Sequence, residues 1–310
     1  MDTILELKNL EKTFYSNHTE QRVVKGINLS LYRGESLGLV GESGCGKSTI
    51  AKLITKLHPA TNGEILLEGK DITQLHGKAL RKELRKVQMI FQDPLSSFDP
   101  RIPVGKSITE VIKHHGICKT KEECAKRTVS LLREVGLDET YYHSLPIHIS
   151  GGECQRIAIA RALASEPELL ICDEATSALD VSVQAQIINL LDDIRRERGL
   201  SFLFISHDLS LVSSFCSRVA VMYRGKIVET ASSEELLQNP CHPYTKLLFS
   251  SVFPVSQNQN WTLPQISDSA DPSDHGCVFQ HRCSLPCQCG NSIPELKEVA
   301  KDHFCACMMK

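Results

Sequence analysis

Gly41-Glu42-Ser43-Gly44-Cys45-Gly46-Lys47-Ser48, followed by Thr49, fits the pattern G-x-x-x-x-G-K-[ST] of a phosphate-binding loop. Phosphates are bulky and anionic, so a backbone that binds them must wrap closely around them. Gly41, Gly44 and Gly46 tolerate positive φ and carry no Cβ in the way. The turned backbone then points several N–H groups at one concavity. Lys47 is expected to aim its charge at the β- and γ-phosphates, and the Ser48 hydroxyl to bind Mg²⁺. A helix from about Lys47 to Lys56 adds the positive end of its dipole. The flanks agree. Ser36-Leu37-Gly38-Leu39-Val40 reads as a buried strand entering the loop, and Ile50-Ala51-Lys52-Leu53-Ile54 reads as helix.

The chain has 310 residues, enough for one large domain plus an appendage, or for two domains. Its 41% hydrophobic and 23% charged content is ordinary for a globular protein. A net charge of -2 gives no reason to expect a nucleic-acid partner. The strongest apolar runs, such as Leu200-Ser201-Phe202-Leu203-Phe204-Ile205, are strand-sized and too short to span a bilayer. Met1-Asp2-Thr3-Ile4-Leu5-Glu6 lacks the regions of a signal peptide. The expectation is a cytosolic chain whose membrane role, if any, runs through a partner. Of the 13 Cys, which are not expected to form disulfides in such a chain, six lie beyond residue 276.

Along the chain, Ile4-Leu5-Glu6-Leu7 and Ile27-Asn28-Leu29-Ser30-Leu31 read as strands of a partly exposed antiparallel sheet. Between them, Lys12-Thr13-Phe14-Tyr15 offers an aromatic for a base to stack on, or a plain strand residue. Thr61-Asn62-Gly63 marks a turn and Glu64-Ile65-Leu66-Leu67 a strand. Val87-Gln88-Met89-Ile90-Phe91 is a buried strand that ends at Gln92-Asp93-Pro94. The stretches Val104 to His114, Lys121 to Val135 and Glu153 to Ala164 have helical periodicity and read as an inserted α-helical subdomain. Inside it, Ser150-Gly151-Gly152 opens a helix, either as an anion-binding end or as an ordinary cap.

The strand Glu168-Leu169-Leu170-Ile171-Cys172 then delivers two acids, Asp173 and Glu174. The first suits a Mg²⁺ ligand and the second a group that orients or deprotonates water. Neighbouring carboxylates repel unless a cation faces them. Ser177-Ala178-Leu179-Asp180 caps a long helix to about Arg198, and Phe202-Leu203-Phe204-Ile205 is a buried strand ending at Ser206-His207-Asp208. A His there suits a γ-phosphate donor or an ordinary surface position.

In this order the pieces resemble the ATPase domain of ABC transporters, over roughly residues 3 to 255. The resemblance implies an α/β P-loop NTPase core with an antiparallel β subdomain, a helical insert at about 93–165, and a head-to-tail dimer with ATP between the two ATPase domains. It implies ATP contacts from Phe14 (or Tyr15), Gly41, Ser43, Gly44, Cys45, Gly46, Lys47, Ser48 and Thr49, and Mg²⁺ held by Ser48, Gln92 and Asp173. Glu174 would be the general base, Gln92 would touch the attacking water, and His207 would grip the γ-phosphate. Ser150, Gly151 and Gly152 would reach the ATP of the partner domain. The family's signature usually begins with Leu and ends with Gln. Here Ile149 and Glu153 stand in those places, and Glu153 brings one extra negative charge toward the phosphates.

Asn239-Pro240-Cys241-His242-Pro243-Tyr244-Thr245 resembles the N-P-x-H-P-Y-T segment of the oligopeptide/dipeptide/nickel importers, and the overall pattern that of the second ATPase subunit of peptide permeases. This implies a paralogous ATPase as heterodimer partner, two permease subunits, an extracytoplasmic binding protein, and a place on the cytoplasmic face of a bacterial membrane. The alternatives are a nickel or metal-chelate importer ATPase and a soluble, non-transport ABC ATPase. A single P-loop, a short insert and no basic excess favour the transporter.

The expected division is an ATPase domain at 1–255, a linker rich in Ser, Pro, Gln, Asn and Asp at 256–275, and a Cys-rich extension at 276–310. The family's extension carries G-C-x-F-x-x-R-C, a Cys before P-x-L and a Cys near the end. Cys277, Cys283, Cys289 and Cys307 match, with Cys287 and Cys305 in surplus. Four thiolates suit a [4Fe–4S] cluster, Zn²⁺ is the rival, and unliganded thiols are the third reading. Without an ion, so short a tail is not expected to bury a core of its own. Cys45, Cys154 and Cys172 read as small apolar fillers.

Overall fold

In the computed structural model, residues 2–16, 19–250, 276–283 and 293–307 are described. The elements run β1 (Thr3–Ser16), β2 (Thr19–Tyr32), β3 (Ser36–Val40), α1 (Lys47–Ile54), β4 (Asn62–Leu67), β5 (Lys70–Asp71), α2 (Gly77–Leu84), β6 (Val87–Ile90), α3 (Val104–His114), α4 (Lys121–Glu134), α5 (Gly151–Leu163), β7 (Leu169–Asp173), α6 (Val181–Arg198), β8 (Ser201–Ile205), α7 (Leu209–Phe215), β9 (Arg218–Tyr223), β10 (Lys226–Ser232), α8 (Ser233–Gln238), α9 (Pro243–Ser250), β11 (Lys297–Ala300) and β12 (His303–Cys305). The strand and helix expectations hold to within one or two residues where they were made, except that β1 and β2 are long, 14 residues each. The expected linker at 256–275, and Cys287 and Cys289, lie outside the described residues.

The chain divides into two compact units. One comprises Met1–Leu5, Leu31–Glu35 and Leu66–Ile205. Its centre is the parallel run β6-β7-β8. Every residue of Leu169–Asp173 and Ser201–Ile205 is buried, as continuous apolar strands of a parallel sheet require. Helices α3, α4 and α5 fill the insert. The Thr109 and Thr128 hydroxyls bond at 2.8 Å between α3 and α4. The α4 start is closed by a capping box of Thr120 and Glu123. At the edge of this unit Glu68 accepts from Lys86 and Arg33, and Arg33 also pairs with Glu168 at 2.6 Å. Lys86 first, and then Arg33, hold the Glu68 carboxyl at about 2.

The other unit comprises Glu6–Ser30, Ser36–Ile65 and Ser206–Lys310. Here β2, β1 and β4 lie side by side, and β3 is followed by β9, β10, β12 and β11. β3 and β9 are parallel, with Val40 opposite Val221. β10 turns back on β9, and β12 adds to β10 with Glu229 opposite Cys305. The described residues of the C-terminal stretch are thus buried against the body of this unit. Phe279 and His303 are each 1% exposed and Cys305 2%.

His303 is held between two carboxylates. Its Nε2 lies 2.7 Å from Glu229 Oε1 and its Nδ1 3.5 Å from Glu235 Oε1. Glu229 first, and then Glu235, raise the imidazole pKa against the opposing effect of burial. A His whose folded pKa lies above its unfolded value of roughly 6.5 contributes stability that is complete below that value. The contribution is lost as pH rises through the folded pKa. The neighbouring thiols of Cys241 and Cys305 are pushed up by burial and keep their protons over this range. Hydrogen-exchange protection of the Phe304 and Ala306 amides, corrected for intrinsic rates, should therefore fall as pH rises above about 6.5. In His303→Gln it should be low and flat.

Candidate nucleotide site

The phosphate loop follows β3 in the second unit. A Cβ on Gly41 (φ 151°) would stand 2.1 Å from the Met222 carbonyl oxygen. One on Gly46 (φ 113°) would meet Met222 Cε at 2.7 Å and Val23 O at 2.9 Å. Only glycine allows so close an approach of loop to β9 and β2 at these backbone angles. The loop is also bonded to the β9–β10 turn, since the Gly225 N–H donates to Cys45 O at 2.9 Å. Glu42 N–H donates to the Tyr244 hydroxyl at 2.8 Å. Lys47 is 4% exposed, and its Nζ donates to Gly41 O at 2.7 Å and Glu42 O at 3.0 Å. No side chain caps α1 at Gly46, so its N-terminus faces the loop. Ser43 and Gly44 are exposed, and Ser48 and Thr49 half-buried. A ring of backbone amides over a lysine ammonium is a cradle for an oligophosphate.

Phe14 is half-buried in β1, edge-on to His58 at 5.4 Å with Lys12 Nζ 4.9 Å from its ring. Tyr15 beside it is 74% exposed. His207 lies two residues beyond β8, just before Asp208, which caps α7 by accepting from Ser210 and Leu211 N–H.

In the first unit the parallel register decides which side chains meet. β6 and β7 pair Ile90 with Cys172, so two residues on Gln92 stands level with Glu174. The Gln92 Nε2 donates to Glu174 Oε2 at 3.0 Å and reaches Ser177 Oγ at 3.4 Å. Ser177 Oγ in turn donates to Glu174 O at 3.0 Å. Glu174 has φ 48°, a left-handed backbone for a non-glycine residue, and its N–H donates to Ile205 O at 2.9 Å. Such strain persists where the surroundings fix it, and it collects at functional positions. Asp173 is 6% exposed at the end of β7. The segment after Gln92 is pinned by Arg161, whose Nη1 and Nη2 donate at 2.7 Å to Ser97 O and Oγ, with the guanidinium 4.0 Å from the Phe98 ring centre.

Ser150 caps α5. Glu153 Oε2 accepts from Ser150 N–H at 2.9 Å and from the Ser150 hydroxyl at 2.7 Å, and Oε1 accepts from the Tyr141 hydroxyl. Tyr141 first, and then Ser150, hold the Glu153 carboxyl below its usual range. Glu153 thus stays ionised, and its oxygens serve the cap and the Tyr141 hydroxyl. The S-x-x-E spacing was the available signal; nothing local pointed to Tyr141. Gly152 leaves room for α6, since a Cβ there would stand 2.7 Å from Val183 Cγ1.

Cys277, Cys283 and Cys307 are half-buried and, among the described residues, in no disulfide. Among the described residues they do not gather within single-ion distance of one another. The one group of three donors that does is Glu229, Cys241 and His303, within 4.8 Å. Its carboxylate already accepts from Cys241 N–H (2.6 Å), His242 N–H (2.9 Å) and His303, which makes it an ion-pair lock. Cys45, Cys154 and Cys172 are buried, and burial pushes the Cys154 thiol to about 11 and Cys172 to about 12, as apolar fillers require.

Among the described residues no helix is long and apolar enough to cross a membrane. Residues 24–177 match the sequence pattern of the ABC transporter family, and residues 228–288 that of the oligopeptide/dipeptide transporter C-terminal region. The chain is 43% identical over 310 residues to the oligopeptide transport ATP-binding protein OppF of Bacillus subtilis (strain 168), covering 99% of this chain and 96% of that protein. It is 41% identical to OppF of Salmonella typhimurium, covering 98% and 92%. Among solved structures, the dimeric ATP-binding cassette MJ0796 in a post-hydrolysis state with ADP and Pi matches with a TM-score of 0.68 at 29% identity, over 74% of this chain and 98% of that one. The fold is that of the ABC ATPases, and the chain belongs to the ABC transporter family, among the ATP-binding proteins of its oligopeptide/dipeptide branch.

Proposed function

We propose that this ABC ATPase powers the import of di- or oligopeptides. The observation that carries the reading is the near full-length likeness to OppF, together with the Gln92–Glu174 contact. In this reading Lys47 and the loop amides grip the phosphates of ATP, and Phe14 takes the base, with Tyr15 as the alternative. Ser48, Asp173 and Gln92 fit as Mg²⁺ ligands, being a hydroxyl behind the loop lysine, a buried carboxylate at a strand end and an amide already turned toward that strand. The ion supplies charge neutralisation on the transferred phosphoryl group. Glu174, held by Gln92, takes the proton of the attacking water, and His207 donates to the γ-phosphate. Ser150, Gly151 and Gly152 serve the ATP of a paralogous partner subunit.

Contact with two permease subunits falls to the insert and the segment after Gln92. In support, Leu95 and Ile147 in that unit are 44% and 66% exposed. A binding protein outside the membrane would deliver the peptide, with this chain on the cytoplasmic face. Cys277, Cys283, Cys289 and Cys307 are proposed to hold a [4Fe–4S] cluster, which separates its thiolates further than a single zinc ion does.

Glu174→Gln should lower ATP turnover at least ~100-fold while ATP still binds. Turnover at the wild-type rate would reject the assigned base. Co-sedimentation with permease-containing membranes tests the transport reading; recovery with ribosomes or DNA instead would reject it. Anaerobically purified protein should contain iron and sulfide and absorb near ~400 nm. Zinc, or no metal, would reject the cluster and leave the ATPase assignment standing.

A further inference from the structure

The second residue of the phosphate loop, Glu42, is fixed at each of its polar groups. Its N–H donates to the Tyr244 hydroxyl at 2.8 Å. Its carbonyl accepts from Lys47 Nζ at 3.0 Å. Its carboxylate accepts from Arg282 Nη1, at 2.8 Å on Oε1 and 3.0 Å on Oε2. Arg282 lies 240 residues further along the chain, in the C-terminal stretch.

Phe279 seats that arginine. It is 1% exposed, and its ring packs edge-on to Tyr223 at 5.3 Å and against Tyr244 and His242 at 5.7 Å each. Tyr223 and Tyr244 are themselves 4.5 Å apart. The ring that carries the hydroxyl on Glu42 N–H is thus the ring against which Phe279 is buried. Phe279 and Arg282 are the two lettered residues between the cysteines of Gly276-Cys277-Val278-Phe279-Gln280-His281-Arg282-Cys283. A short helical turn, Gln280–Arg282, points the arginine from the Phe279 anchor to the loop.

We propose that Arg282 is a positioning residue for the phosphate loop, and that the C-terminal stretch acts on ATP affinity through it. The inference rests on the loop being the ATP cradle. The pair is not a pillar of the fold. Its side chains are 23% and 43% exposed, and ion pairs so open to solvent add little to folding. Their effect is to hold one loop backbone in the geometry that receives phosphate, which saves ordering cost on binding. Loss of the pair therefore separates affinity from stability. A structural role alone would move both.

The experiment is ATP binding to the full-length chain by titration calorimetry, alongside thermal unfolding. Arg282→Ala should weaken ATP roughly three- to tenfold with the unfolding midpoint nearly unchanged. Glu42→Ala should do the same, and the double variant should be no weaker than either single one, because both remove one contact. Arg282→Lys should recover part of the affinity. Wild-type affinity in Arg282→Ala, or independent additive losses in the double variant, would overturn the proposal. Lys47→Ala is the control for the underlying reading. If Lys47→Ala abolishes binding while Arg282→Ala leaves it intact, the clamp is wrong and the cradle stands. If Lys47→Ala binds ATP normally, the cradle itself is wrong and the clamp falls with it.

Discussion

Among the described glycines the tightest approach is at Gly41, where a Cβ would stand 2.1 Å from the Met222 carbonyl oxygen. It ties the phosphate loop to the backbone of β9 with no side chain between them. Gly46 makes a similar approach to Val23, and the Gly225 N–H to Cys45 O bond closes the loop from the other side. A loop held this way presents its amides without help from its own side chains. Lys47 can then be buried, because the loop's carbonyls satisfy its ammonium. The arrangement also makes β9 and the turn after it part of the site, although they contribute no residue to the loop motif.

Parallel strands do for the acid pair what glycine does for the loop. In a parallel ladder, residues at equal offsets stand side by side. The offset that pairs Ile90 with Cys172 brings Gln92 to Glu174, and the left-handed backbone at Glu174 turns its carboxylate out of the strand direction. Each chemical group thus stands just past a strand whose burial fixes it. β7 and β8 are buried along their whole length, Asp173 and Ser201 included, and that continuous burial gives the ends their precision.

What was legible in the sequence was local. The loop, the strands leading into Gly41 and Asp173, the Asp180 cap and the periodic helices of the insert all carry their signal within a few residues. Pairing across 82 residues does not: Gln92 reads as a strand-end amide until the register places it on Glu174. The capping role of Glu153 is within reach of the sequence, since Ser150 and Glu153 have capping-box spacing. Tyr244 stands in a family marker, and nothing near it in sequence shows that its hydroxyl meets a loop 202 residues away. The described residues of the tail pack on the apolar wall of another strand layer, which no count of their own side chains reveals.

That borrowed wall settles a different matter, the fate of a sheet edge. Without β12, the strand β10 would end the sheet with Glu229 and Thr230 unmatched on that side, a template for pairing with any extended chain. β12 covers it, and β11 then becomes the border. β11 is four residues long, exposed throughout, begins Lys297-Glu298, and is broken in register between Glu298 and Ala300. Short, charged and kinked strands are poor templates. The two C-terminal strands therefore leave this border a poor template for edge-to-edge pairing.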